Sequence, residues 1–60
     1  MKSVGYDAIG KILEIEFNNG DIWHYFDVPE ATAKALQTAL SVGKYFFAHI
    51  RGKFNEEKQN

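Results

Sequence analysis

The turn sequence Asn18–Gly20 (NNG) lies between two segments rich in strand-forming residues, and it constrains the fold of this 60-residue chain more than any other feature. The segment before it, Lys11–Phe17 (KILEIEF), alternates apolar and acidic side chains, which is the period-two pattern of a half-buried strand. The segment after it, Asp21–Phe26 (DIWHYF), carries three large aromatic rings and a histidine. An asparagine-glycine turn between two such segments predicts an antiparallel hairpin.

The length of the turn decides which aromatic side chains face the core. A three-residue loop places Trp23 and Tyr25 on the apolar face of the preceding strand, because side chains alternate along a strand. A two-residue loop shifts the pairing by one residue and places Ile22, His24 and Phe26 on that face instead. We favour the three-residue loop, because it puts the glycine where a positive φ is required and buries the two largest rings.

The remaining segments complete a single α+β domain. Ser3–Asp7 contains alternating strand formers and predicts a first strand before the hairpin. The only proline, Pro29, suits the first position of a helix over the Ala-rich segment Glu30–Leu40. Ser41 is a natural N-cap for a second helix over Val42–Arg51. The sequence therefore predicts a three-stranded antiparallel β-meander followed by two helices packed on one of its faces, in the order β-β-β-α-α.

The predicted domain spans residues 1–54, and the polar residues 55–60 are expected to form a disordered tail. A chain of this length buries only about 60% of the surface that its unfolded form exposes, so self-association remains an open source of stability. The sequence has no cysteine, which excludes disulfides and suits a reducing compartment. It shows no signal peptide and no apolar run near the ~20 residues that span a bilayer. We therefore expect a cytoplasmic protein without a membrane partner.

A set of short motifs occurs in a fixed order along residues 3–54. The motifs are Gly5-Tyr6-Asp7, Leu13/Ile15/Phe17, Asn19-Gly20, Trp23-x-Tyr25, Val28-Pro29, Ser41-x-Gly43, Tyr45-Phe46 and Ile50-Arg51. This ordered set resembles the KTSC domain, which is named for the C-terminus of the lysyl-tRNA synthetases where some members occur. RNA binding has been suggested for that family, so the resemblance implies a small RNA-binding domain.

The chain departs from the pattern of this family at two aromatic positions. Trp23 stands where the family usually has the first tyrosine of its central Y-x-Y motif, which keeps a ring but removes a phenolic oxygen. Phe47 stands where a polar residue, often asparagine, would follow the second aromatic pair. A role that depends on a side-chain amide at that position is therefore not expected here.

Basic residues are concentrated near the second predicted helix. Residues 42–54 hold three basic side chains and no acid, whereas residues 1–41 hold three lysines and six acids. A basic segment at a helix start, with free backbone N–H groups and a glycine, can bind phosphate. Helix capping and ordinary surface charge explain the same residues and are commoner. The candidate nucleic-acid-binding residues are Ser41, Gly43, Lys44, Arg51 and Lys53, with Tyr25 as a candidate for contact with bases.

A second hypothesis is a protein-interaction or self-associating module, such as a bacterial or phage accessory protein. In the favoured register Ile22, His24 and Phe26 lie on the sheet face opposite the helices, and an exposed apolar patch there would mark a partner site. The alternative is that the helices or the tail cover this patch. RNA, another protein and a second copy of this chain are thus the candidate partners.

The sequence carries no catalytic or metal-binding signature. His24 and His49 are the only histidines, and their spacing is not that of metal ligands. No serine or threonine hydroxyl has an evident base beside it. We therefore expect a non-enzymatic domain that uses no metal and no cofactor.

Overall fold

The hairpin turn has the three-residue geometry that the sequence predicts. The computed structural model describes all residues from Met1 to Asn60. At the turn, the Phe17 N–H donates to the Asp21 carbonyl at 2.8 Å, and the Gly20 N–H donates to the Phe17 carbonyl at 3.0 Å. Gly20 has a φ of 91°, the left-handed conformation that glycine adopts without a steric cost. The predicted loop length is therefore confirmed.

The architecture is a four-stranded antiparallel sheet with two helices against one face. The sheet order is β1-β2-β3-β4, so each strand pairs with the strands that precede and follow it in the sequence. The predicted β-β-β-α-α order is confirmed, with a short strand added after it. The elements are β1 (Ser3–Asp7), β2 (Ile12–Glu16), β3 (Ile22–Tyr25), α1 (Glu30–Thr38), α2 (Val42–His49) and β4 (Glu56–Lys58).

The strand register places the aromatic residues of β3 as predicted. Leu13 pairs with Tyr25 and Ile15 pairs with Trp23, so the four side chains share one face of the sheet. Leu13, Ile15 and Tyr25 are buried there, whereas Trp23 is half-buried. The core closes between this face and the helices, which contribute a second set of buried side chains: Ala33 and Leu36 from α1, Phe46 from α2, and the flanking Val28 and Ile50.

The helices begin and end slightly differently from the prediction. Pro29 has an extended ψ of 147° and precedes α1 as its N-cap, so it is not the first helical residue. α1 ends at Thr38, and Leu40 lies beyond it with a fully exposed side chain. Ser41 caps α2 as predicted, because its Oγ accepts a hydrogen bond from the Lys44 N–H at 3.3 Å. Gly52 then has a φ of 75°, as expected of a glycine beyond a helix C-terminus.

The tail that the sequence analysis expected to be disordered instead forms β4 along the free edge of β3. The Phe26 N–H donates to the Asn55 carbonyl at 2.9 Å, and the Gln59 N–H donates to the Ile22 carbonyl at 2.7 Å. All three side chains of β4 are exposed, so this strand is held by backbone hydrogen bonds and not by an apolar pattern. The half-buried Phe54 packs against the core just before it and brings the chain to the sheet edge.

Neither helix has the length and apolar character required to cross a bilayer.

Candidate functional site

A groove of about 500 Å³ opens between the sheet and α2 and is walled mainly by aromatic rings. We call it the aromatic groove. Its volume lies within the range of roughly 300–1,000 Å³ that is typical of small-molecule sites. The polar members of its lining, Arg51 and Glu56, lie on opposite elements of the fold, beyond α2 and on β4. The aromatic members are Phe17, Trp23, Tyr25, Phe46 and Phe47.

The strand register and the helix period together produce this wall. Trp23 and Tyr25 are two residues apart on β3 and point to the same side of the sheet. Phe46 is buried, and its ring contacts the Tyr25 ring edge-on with centroids 5.5 Å apart. Phe47 follows it on α2 and is therefore rotated by about 100° around the helix axis, away from the core. The Phe47 side chain is 64% exposed, which makes it the open wall of the groove.

Gly43, Phe47 and Arg51 are spaced four residues apart, so they follow one side of α2 and of the turn after it. The Arg51 guanidinium carbon lies 4.9 Å from the centroid of the Phe47 ring, a cation–π contact. Both residues are exposed, which leaves the guanidinium edges open to solvent or to a ligand. The arrangement supplies a flat aromatic surface that carries a positive charge.

Gly43 leaves space in the groove. A glycine in the first turn of a helix weakens the helix, and such a residue often marks a close backbone approach to a neighbour or to a ligand. No other part of the chain makes that approach, because a Cβ built on Gly43 would have no atom within 4 Å. The missing side chain therefore widens the groove at the N-terminal end of α2.

Tyr25 forms the buried end of the groove. Its side chain is only 2% exposed, and burial raises the pKa of its phenol to about 12. The Glu56 carboxylate raises this pKa further, and the Arg51 guanidinium opposes it. Glu56 has this effect because it is the cross-strand partner of Tyr25 in the β3–β4 pair. The hydroxyl therefore remains protonated at neutral pH and lies within the field of both charges.

The structure brings together three of the six residues that the sequence analysis proposed for nucleic-acid binding. Tyr25, Gly43 and Arg51 line the aromatic groove. Ser41 and Lys44 lie at the start of α2, where the Ser41 hydroxyl is used as a helix cap. Lys53 lines a separate, mostly polar depression that also includes Phe26, Asp27, Gly52, Phe54 and Asn55.

The sheet face opposite the helices, which we call the open face, is less apolar than expected. His24 lies there between its cross-strand neighbours Glu14 and Glu57. The His24 Nε2 is 2.8 Å from a Glu14 carboxylate oxygen. Ile22 and Phe26, the apolar members of the proposed interaction patch, are half-buried and lie on either side of this polar row. No three His, Cys, Asp or Glu side chains are grouped in a way that could hold a metal ion.

The sequence analysis did not assign six of the nine lining residues to a site, and two of these six, Glu56 and Phe47, are exposed. Glu56 could not be found, because it lies on a strand that has no apolar pattern. Phe47 follows Phe46 in an apolar run, which is typical of core residues, but its side chain is exposed. The spacing of four residues from Gly43 to Phe47 to Arg51 is the signal that could have placed it beside the groove. Both positions where the chain departs from the KTSC pattern, Trp23 and Phe47, line the groove.

The chain belongs to the KTSC domain family, whose pattern it matches over residues 1–54. The crystal structure of a KTSC domain protein from Yersinia pestis has the same fold, with a TM-score of 0.94 at 36% sequence identity. That match covers 97% of this chain and 82% of the Yersinia chain. The family and the fold predicted from the sequence are therefore confirmed.

The chain is also similar to a short segment of much longer proteins. Lysine–tRNA ligases of Trichormus variabilis and Nostoc punctiforme are 36% identical to it over 58 residues. The match covers 97% of this chain but 10% of each ligase, so the chain corresponds to a small part of their length. An uncharacterized protein of Stutzerimonas stutzeri is 41% identical over 46 residues, which are 77% of this chain and 65% of that protein.

Proposed function

We propose that this domain binds single-stranded RNA and holds unstacked bases in the aromatic groove. The observation that carries the proposal is the wall of five aromatic rings, one of which is the largely exposed Phe47 with the Arg51 guanidinium above it. Stacking of a base on an aromatic side chain contributes about 1–3 kcal/mol and tolerates any sequence. The similarity to lysine–tRNA ligases supports an RNA ligand, because tRNA is part of the reaction named for those relatives.

Lys44 and Lys53, near the two ends of α2, would contact the phosphates on either side of a bound base, and Arg51 in the groove is left for the base itself. Lys44 lies at the N-terminal end of α2, whereas Arg51 and Lys53 follow its C-terminal end. The chain has a formal net charge of −1, so binding depends on this local cluster and not on overall attraction. Two such contacts predict a log–log salt slope of about −1.4, since each phosphate contact on a single strand contributes about −0.7.

Trp23 is the only tryptophan of the chain, so its fluorescence reports directly on the groove. Titration with tRNA and with short single-stranded RNAs should quench this emission, and the affinity should fall as salt is added. Phe47→Leu, which keeps an apolar side chain but removes the ring, should weaken binding by about 1–3 kcal/mol. Leu40→Ala is the matched control, because Leu40 is fully exposed and lies outside the groove.

The absence of any fluorescence change or binding at low salt would refute the RNA proposal. Equal losses of affinity in Phe47→Leu and Leu40→Ala would instead place the RNA outside the groove.

Self-association is a second candidate function, and it is favoured by the free edge of the sheet. β1 is the terminal strand, so the backbone groups on its outer side are available to pair with another strand. Light scattering coupled to size exclusion measures the oligomeric state directly. A monomeric mass at high protein concentration would eliminate this candidate.

A further inference from the structure

Three polar groups around the aromatic groove have hydrogen-bonding capacity that the protein does not use. They are the Tyr25 hydroxyl, the Arg51 guanidinium and the Glu56 carboxylate. None of them takes part in a side-chain hydrogen bond or an ion pair within the chain. The Tyr25 ring is buried, but its hydroxyl has no protein partner and is not a buried polar atom, so it is open to solvent from the groove. All three groups are therefore accessible to a ligand in the groove.

The fold keeps the two charges apart from each other. The Arg51 guanidinium is held over the Phe47 ring on the α2 side of the groove. Glu56 is held on β4, opposite Tyr25 and on the sheet side. The groove thus offers a group that only donates hydrogen bonds on one side and a group that only accepts them on the other.

Guanine is the RNA base that matches this division. Its N1–H and N2 amino group are adjacent donors, which a carboxylate can accept together. Its O6 and N7 are adjacent acceptors, which a guanidinium can bind through two parallel hydrogen bonds. In adenine and cytosine the amino group lies beside a ring nitrogen that accepts, and in uracil the single ring N–H lies between two carbonyls. Each of these three bases would turn an acceptor towards the carboxylate.

We propose that the aromatic groove selects an unpaired guanine, with Glu56 on its N1 and N2 edge and Arg51 on its O6 and N7 edge. The base lies against the aromatic wall, and the Tyr25 hydroxyl at the buried end donates to it or accepts from it. This inference rests on the proposed function where the guanine belongs to an RNA strand. A free guanine nucleotide presents the same base, so the experiment must distinguish the two sources.

The experiment follows Trp23 fluorescence during titration with the pentanucleotides UUGUU, UUAUU, UUCUU and UUUUU, and with GMP. UUGUU should bind roughly tenfold more tightly than the other three, because a bidentate contact to one base discriminates by about that factor or more. Replacing the guanine by inosine, which lacks the N2 amino group, should remove much of this preference. GMP should bind more weakly than UUGUU, since it lacks the flanking phosphates.

Glu56→Gln should lower the preference for guanine, measured as the ratio of the UUGUU affinity to the UUUUU affinity, by roughly tenfold. The matched control is Glu57→Gln, which makes the same change of charge on the same strand, but on the open face beside His24. Glu57→Gln should keep the preference. The pair therefore separates recognition of the base from the general effect of one less negative charge on RNA binding.

The possible outcomes separate the two proposals. Equal binding of all four pentanucleotides, unchanged in Glu56→Gln, would overturn the guanine site and leave RNA binding standing. Binding of GMP as tight as that of UUGUU, with the same dependence on Glu56, would support the guanine site and overturn the RNA function. Failure of every ligand to bind would overturn both.

Discussion

The two faces of the sheet carry polar groups in similar positions but use them differently. On the open face, Glu14 and Glu57 lie on either side of His24, and the histidine is bonded to Glu14 at 2.8 Å. On the groove face, Glu56 lies beside Tyr25 in the equivalent cross-strand position, yet their side chains are not bonded. Successive side chains of β3 point alternately to these two faces. The polar groups of the open face thus contribute to the folded state, whereas those of the groove face are available to a ligand.

The largest expected effect is a loss of stability that distinguishes Phe46, on the core side of the groove, from Phe47, on its open wall. Phe46→Ala removes a buried ring that contacts Phe17 and Tyr25, and should cost about 3–5 kcal/mol. A domain of this size has a total stability of roughly 3–9 kcal/mol, so this variant should be largely unfolded by circular dichroism. Phe47→Ala, one residue further, should cost less than about 1 kcal/mol but should lose RNA affinity. Equal losses of stability would show that Phe47 belongs to the core.

Alkaline pH should test the environment of Tyr25. Its pKa is raised to about 12 in the folded state, whereas the phenol of the unfolded chain ionises near pH 10. Between these values unfolding releases a proton, so stability is constant below about pH 9 and falls as the pH rises from 10 to 12. The loss from this group should be at most about 2.7 kcal/mol, and smaller because the hydroxyl is open to solvent.

Tyr25→Phe should therefore reduce the alkaline loss of stability, measured as the free energy of unfolding between pH 9 and pH 12. At neutral pH the same variant should be about as stable as the parent, because the hydroxyl has no partner within the protein. A large loss at pH 7 would contradict the assignment of this hydroxyl to a ligand.

A smaller effect is expected at Gly43, where one substitution should raise the free energy of unfolding but lower the affinity for RNA. Gly43→Ala should stabilise α2 by up to about 1 kcal/mol, because the added methyl meets no atom within 4 Å and alanine favours the helix. The same methyl enters the aromatic groove and should weaken RNA binding several-fold. Ala48→Gly, at an exposed position of α2 outside the groove, is the mirror control: it should lower stability and leave binding unchanged. Tighter binding by Gly43→Ala would show that the groove is not occupied near α2.

The hairpin was predictable because local physics and global packing agree there. Three local features converge on one register: the alternation of Lys11–Phe17, the glycine of the turn and the size of the rings at Trp23 and Tyr25. A two-residue turn would also place glycine at positive φ, but it would turn Trp23 and Tyr25 away from the apolar face. The placement of Ser41 as a helix cap followed from equally local chemistry.

The groove was less predictable because its parts meet only through tertiary structure. β4 consists of polar residues and is held by backbone hydrogen bonds to the edge of β3. Backbone hydrogen bonds do not require a particular side-chain pattern, so this strand could not be predicted from the sequence. Without β4, the sequence does not place Glu56 beside Tyr25, and the separation of the hydrogen-bond acceptor Glu56 from the donor Arg51 cannot be predicted. The exposure of Phe47 depends on where α2 lies over the sheet, and the spacing of apolar residues along α2 does not determine that position.

The smallest effect should come from the open face. Glu14→Gln removes the charge that faces His24 while keeping the side-chain shape, and exposed pairs of this kind are worth about 0.2–1 kcal/mol. We expect a change of that size in the free energy of unfolding and no change in RNA affinity, measured by Trp23 fluorescence. Glu56→Gln, the same substitution on the groove face, should show the opposite pattern: little change in stability and a loss of guanine preference. A loss of RNA affinity in Glu14→Gln would place the ligand on the open face, and the contrast between the two faces would then be wrong.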